Sequence, residues 1–204
     1  MSSMTSEGIA LPAVGDRPER ARDRIFRVAK DLFYRRGIRA VGVETIVAAA
    51  GATKMSLYRS FASKDELIVA YLEDRNAKYW RWWDEVMAEH PGEPRQQLRD
   101  IFEALAARIV DVSYRGCAFT NAAVEFPEPA HPGRAVATAN KQALRARLLA
   151  LSEAIGARDP RGLADQLVLL FEGAYSSSQT LGPTGPAAAV ADAAEAIIEA
   201  QLRR

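Results

Sequence analysis

Thr53, Lys54, Ser56, Tyr58, Arg59 and Lys64 crowd into one short stretch of the chain, and every one of them can donate a hydrogen bond. Three are cationic. That set suits phosphate oxygens and base edges better than bond-breaking chemistry. Groups for catalysis are scarce: the only histidines, His90 and His131, lie far apart, and Cys117 is the single cysteine. Neither a nucleophile with its base, nor a carboxylate pair, nor a phosphate-cradling glycine loop can be picked out. The sequence therefore predicts no enzyme and no cofactor. Cys117, Glu125 and His131 follow no tight zinc spacing, so no metal is expected either. A lone cysteine is most often a buried structural thiol. A redox- or metal-responsive role for Cys117 is the alternative.

The donors need a frame, and residues 43–61, VETIVAAAGATKMSLYRSF, provide one. Two helices too short to stand alone are joined by a tight turn at Gly51-Ala52, with Thr53 placed to cap the second. Ala49 and Ala50 are small enough for the two helices to approach closely. Leu57 and Phe61, four apart, turn inward and leave Thr53, Lys54, Ser56, Tyr58, Arg59 and Ser60 outward. Such a helix-turn-helix can place its second helix in a major groove about 12 Å wide. Ser63 caps a longer helix whose first turn carries Lys64, where free backbone N–H groups already favour a phosphate.

Charge is distributed to match. The 204-residue chain is nearly balanced, with 27 Lys+Arg against 26 Asp+Glu, yet residues 1–64 hold twelve basic against six acidic side chains. A basic head on an acidic remainder predicts a polyanion partner. Arg17, Arg20, Arg22, Arg24 and Arg27 open the first helix, either as a solvated face or as further contacts to DNA. Apolar residues make up 49% and charged residues 26%, as in a globular protein. With no signal-peptide pattern and no membrane-length apolar run, a soluble, cytoplasmic protein is expected, without membrane contact.

The periodicity throughout is helical and predicts an all-α fold of about nine helices. Residues 1–17 read as a disordered arm and 18–65 as the helix-turn-helix domain. Residues 66–204 read as a second helical domain, with helices near 64–89, 94–115, 117–126, 133–155, 161–181 and 187–202. Within it, Tyr79, Trp80, Trp83, Phe102, Leu105, Ile109, Phe119 and Phe126 are candidates to line an apolar cavity, or else are plain core. Asn121 and Glu125 share one helical face and either satisfy backbone groups or orient a ligand. In the last two helices Leu163, Leu167, Leu170, Phe171, Ala174, Tyr175, Ile197 and Ile198 are candidates for a two-fold interface, the other reading being core within one subunit.

Gly51-Ala52-Thr53, Leu57-Tyr58, Phe61 and Ser63-Lys64-Asp65-Glu66-Leu67 resemble the DNA-binding segment of the TetR family of transcriptional regulators. The likeness continues upstream through Ile25, Ala29, Phe33, Gly37, Val43 and Ile46. Ser60 stands where the family often has His or Tyr, and Ala52 where Val is commoner. The resemblance implies phosphate contacts at Thr53, Tyr58 and Lys64, and base-edge candidates at Lys54, Ser56 and Arg59. It implies a helical ligand-binding and dimerisation domain from about residue 75 onward. It also implies a homodimeric repressor on a pseudopalindromic double-stranded DNA operator, released when a small, mainly apolar effector displaces the fourth helix. The alternative is a DNA-binding protein that needs no ligand.

Overall fold

The computed structural model describes residues 19–110, 114–182 and 184–202; the arm expected over 1–17 lies outside them. Among the described residues there are nine α-helices and no strand. Helix α1 (Ala21–Arg36) buries Ile25, Ala29, Leu32 and Phe33 and stops at Gly37, whose φ of 87° few side chains tolerate. It starts three residues later than position 18, behind an extended Arg20 that offers no side-chain cap.

Helices α2 (Val43–Ala49) and α3 (Lys54–Ser60) have seven residues each, below the length at which a helix is stable alone. Both rest on α1, through Ile46, Val47 and Leu57. Helix α4 (Lys64–Met87) starts from a capping arrangement: Ser63 Oγ accepts from Glu66 N at 3.0 Å, and the Glu66 carboxylate accepts from Ala62 N at 2.5 Å. It runs without a break through the expected domain boundary. Leu67, Ile68 and Tyr71 belong to the head, and Tyr79, Trp83 and Val86 to the body. One rigid rod therefore joins the two.

The body is completed by α5 (Pro94–Ile109), α6 (Ala118–Glu125), α7 (Pro132–Ala154), α8 (Pro160–Leu181) and α9 (Val190–Leu202). A 3-10 turn over Pro186–Ala189 precedes α9, where the sequence suggests one continuous helix from 187. Phe171 of α8 sits at the centre, with ring centroids 4.8 Å from Phe102, 6.1 Å from Tyr175 and 6.4 Å from Trp83.

The α4–α5 corner carries a titrating contact. Asp100, almost wholly buried, is hydrogen-bonded to His90 Nδ1 at 2.7 Å and holds the imidazole above its ordinary value of 6.5. The folded chain thus binds that proton more tightly than the unfolded one. The pair's contribution is complete below the unfolded value of about 6.5 and is lost as pH rises through the higher folded value. Thermal melts across this window should show a step in Tm that His90→Gln removes.

Candidate nucleic-acid interface

The turn between α2 and α3 depends on Gly51, whose φ of 55° lets the chain reverse tightly. Thr53 then caps α3, its hydroxyl accepting from Ser56 N at 3.1 Å and lying 3.0 Å from Ser56 Oγ. Arg24 Nε donates to Ala50 O at 2.7 Å, bringing a cation to the carbonyl end of α2. Leu57 and Phe61 are buried as their spacing suggests, Lys54, Met55, Tyr58 and Arg59 are exposed, and Ser56 and Ser60 are half-buried, with Ser60 Oγ donating to Ser56 O at 2.9 Å.

On that outer side the structure brings together Thr53, Lys54, Ser56, Tyr58 and Arg59. The Tyr58 ring is 49% exposed, an unusual placement for an aromatic that packing alone would select. Lys54 pairs with Glu44 of α2, and this contact holds its ammonium above the usual lysine range. Both partners are exposed, so the pair contributes little to stability and yields readily to phosphate. Met55, 71% exposed on the same helix, was not singled out by its chemistry. An apolar tip there can meet a thymine methyl.

Lys64 is placed differently from the others. Its ammonium donates to Ile38 O at 2.9 Å, in the loop between α1 and α2, and partial burial lowers it from the usual lysine range. One carbonyl occupies one of three N–H donors. Of the basic run, Arg24 supports the turn, Arg27 pairs with Glu19, and the Arg22 guanidinium lies 5.4 Å over the Phe61 ring.

In the body, Trp83, Phe102, Leu105 and Ile109 are almost fully buried, and the Trp83 and Phe102 rings pack beside Phe171 of α8. Trp80 is half-buried beneath the Arg147 guanidinium, 4.2 Å from its ring. Several clefts adjoin α6, and Phe119, Asn121 and Glu125 border them. One of about 500 Å3 separates α6 from the end of α1, beside Tyr34, Tyr71, Arg115, Asn121 and Glu125. A second, of about 420 Å3, has an apolar wall of Phe119, Ala123, Ala137 and Val168 among α6, α7 and α8.

Glu125 links the body to the head. Its carboxylate accepts from Arg39 N at 2.7 Å, and its oxygens would lie only 3.4–3.5 Å from a Cβ added at Gly37. At the other end of α6, Tyr34 of α1 donates to Gly116 O at 3.3 Å and accepts from Arg115 N at 2.9 Å. Asn121 Nδ2 donates to Arg115 O at 3.0 Å and braces that end. The Asn121 and Glu125 pair is visible in the sequence; the Arg39 partner of Glu125, in a distant part of the chain, is not.

The interface candidates also divide. Leu163, Leu167, Phe171, Ala174, Tyr175 and Ile198 are buried inside a single chain and have no area left for a partner. Leu170 and Ile197 are half-buried. The outward side of α8 and α9 instead carries Leu169, Gly173, Ser176, Ala196 and Ala200. Among the described residues no three His, Cys, Asp or Glu side chains are grouped to hold a metal, and no helix is long and apolar enough to cross a membrane.

Comparison with known proteins agrees with this geometry. Residues 25–71, which contain α2, α3 and the start of α4, match the model of the bacterial regulatory proteins of the tetR family. A TetR-family transcriptional regulator from Streptomyces coelicolor superposes with a TM-score of 0.85 at 30% identity, covering 90% of this chain and 96% of that one. A TetR-type regulator from Streptomyces avermitilis gives 0.77, also at 30% identity, over 91% of this chain and all of the other. The HTH-type transcriptional regulator YjdC of Escherichia coli is 24% identical over 76% of this chain and 81% of its own length. With the matched helix-turn-helix at one end and likeness running through the whole body, the chain belongs to the TetR family of transcriptional regulators.

Proposed function

We propose that the chain is a homodimeric repressor. Two copies of α3 enter successive major grooves of a pseudopalindromic operator, and a small molecule lodged in the clefts around α6 releases them. One observation carries the reading: the helix that walls the clefts is hydrogen-bonded at both ends to the DNA-binding head, through Gly116 and Arg115 to Tyr34 and through Glu125 to Arg39. A ligand that displaces α6 must break or drag those contacts, and α4 carries the strain along the same path. Release reaches only as far as the ligand's affinities for the two arrangements differ. The apolar wall of Phe119, Ala123, Ala137 and Val168 suits a mainly apolar effector.

Thr53, Tyr58 and Lys64 are assigned to phosphates, and Lys54, Ser56 and Arg59 to base edges. Footprinting on the DNA upstream of the gene should show two protected half-sites about 34 Å apart, weakening steeply as salt rises. Tyr58→Phe should weaken every sequence alike, whereas Lys54→Ala should change which bases are preferred. A compound found by thermal shift to occupy the clefts should lower operator affinity at least about tenfold, the range of ordinary allosteric coupling. Equal affinity with and without such a compound would overturn the ligand-release reading.

A further inference from the structure

Arg75 of α4 and Arg108 of α5 are half-buried, yet neither makes an ion pair or a hydrogen bond among the described residues. Each lies over an aromatic ring instead: Arg75 is 4.2 Å from the Tyr34 ring of α1, and Arg108 is 4.6 Å from the Trp82 ring. A cation sheltered to this degree normally has a carboxylate beside it. Lys30 and Lys141, also half-buried, do: they reach Asp74 at 3.0 Å and Glu172 at 2.6 Å. Both arginines border one narrow slot of about 60 Å3, walled by Tyr34, Tyr79, Tyr114, Phe119 and Tyr175, and among the described residues no aspartate or glutamate borders it. The slot shares Tyr34, Tyr114 and Ala118 with the cleft of about 500 Å3 between α1 and α6.

The slot also lacks an acceptor. Tyr34 is engaged with Gly116 O and Arg115 N, and Tyr79 has a side-chain hydrogen bond with Tyr175. The Tyr114 hydroxyl, in contrast, is wholly buried and makes no hydrogen bond among the described residues. Burial pushes this phenol far above the usual tyrosine range, so it stays a donor at neutral pH. A buried O–H costs free energy until an acceptor reaches it. Two cations without a counter-charge and one such donor thus border the same small space.

We propose that the slot seats the carboxylate of a small organic acid, with the rest of the molecule lying in the wider cleft against α1. Guanidinium forks match the geometry in which a carboxylate accepts, and Tyr114 supplies a further donor. Size fixes which end enters: the slot is well below the roughly 150 Å3 of a cavity that holds benzene, so it admits the charged group and leaves a ring outside. Two positive charges exclude an amine. Turning to the carboxylate draws Arg75 from the Tyr34 ring, and Tyr34 is the α1 residue bonded to both Gly116 and Arg115. Occupancy therefore competes with a contact between α4 and the head. Binding stands on the slot alone; the effect on operator DNA rests on the function proposed above, whose effector it names as an organic anion.

Calorimetry on the full-length protein tests this with benzoate as the probe and benzamide as its uncharged counterpart. Benzoate should bind one per chain, at least about tenfold more tightly than benzamide. Arg75→Gln and Arg108→Gln should each weaken benzoate about tenfold, and Tyr114→Phe about threefold. Arg108→Lys keeps the charge but loses the fork, and should fall between parent and glutamine variant. Circular dichroism checks folding, and the benzamide affinity of each variant should stay at the parental value, since a packing defect would lower both. No benzoate binding at millimolar concentration overturns the proposal. So does benzamide bound as tightly as benzoate, or full benzoate affinity in both glutamine variants. Inorganic phosphate bound more tightly than benzoate overturns the assignment to a carboxylate. Benzoate should also lower operator affinity at least about tenfold. Bound benzoate that leaves operator affinity unchanged overturns the regulatory half. Benzoate-free protein that ignores its operator overturns the function proposed above, while the titration still decides the slot.

Discussion

Leu169→Glu is expected to leave the chain folded and to reduce operator affinity by at least about a hundredfold, which corresponds to about 2.7 kcal/mol. Leu169 is 71% exposed, so the substitution removes almost no contact within the chain. Its surroundings are unusual for a solvated surface. Gly173 and Ser176 follow it along α8, Ala196 and Ala200 are exposed on α9, and α8 and α9 pack on each other. In the proposed homodimer this patch forms the two-fold contact, so one substitution introduces two carboxylates that face each other. Losing a central anchor in such a patch costs about 2 kcal/mol or more before any charge repulsion. A single α3 reads too few base pairs to hold an operator, hence loss of the dimer appears as loss of DNA binding. Sedimentation gives the mass and fluorescence anisotropy the affinity. A dimeric variant with parental affinity would move the interface to another face.

That prediction uses a face of α8 that the sequence did not mark, for a physical reason. Periodicity shows that Leu163, Leu167, Phe171 and Ala174 share one side of a helix, but burial by a neighbouring helix and burial by a second subunit select the same residue types. The interface side needs only to be small and uncharged, and Gly173, Ser176, Ala196 and Ala200 give no periodic apolar signal. The aromatic cluster in α4 and α5 is ambiguous in the same way, since a cavity wall and a filled core have the same composition. The head was far more legible. Its turn needs a residue that accepts positive φ, its short helices need caps, and its inward positions are four apart. Gly51, Thr53, Ser63, Leu57 and Phe61 meet those demands locally. Lys64 was legible as a cation at a helix start, but its Ile38 partner belongs to a loop 26 residues earlier and could be found only by folding the chain. The same holds for Glu125 and Arg39, and for the contact between Lys141 and Cys117.

Phe171→Ala separates the two kinds of burial from the other direction. Phe171 is 0% exposed within one chain, and its ring contacts Phe102 edge-on and lies beside Trp83 and Tyr175. Truncation removes a whole aromatic ring from a site fixed by α4, α5 and α8, which cannot close the gap without repacking three helices. The expected loss is about 3–5 kcal/mol of folding stability, at the upper end for large-to-small core changes. Urea unfolding should show a lower midpoint with an unchanged slope, because the surface exposed on unfolding stays nearly the same. If Phe171 instead packed against a second copy, the loss would grow on dilution and the variant would dissociate before it unfolded. A stability loss that reads the same when dimer dissociation and unfolding are followed separately places the ring inside the monomer. Because Tyr175 leans on Phe171 and also walls the narrow slot beside Cys117, the variant should quicken exchange of backbone amides in α8.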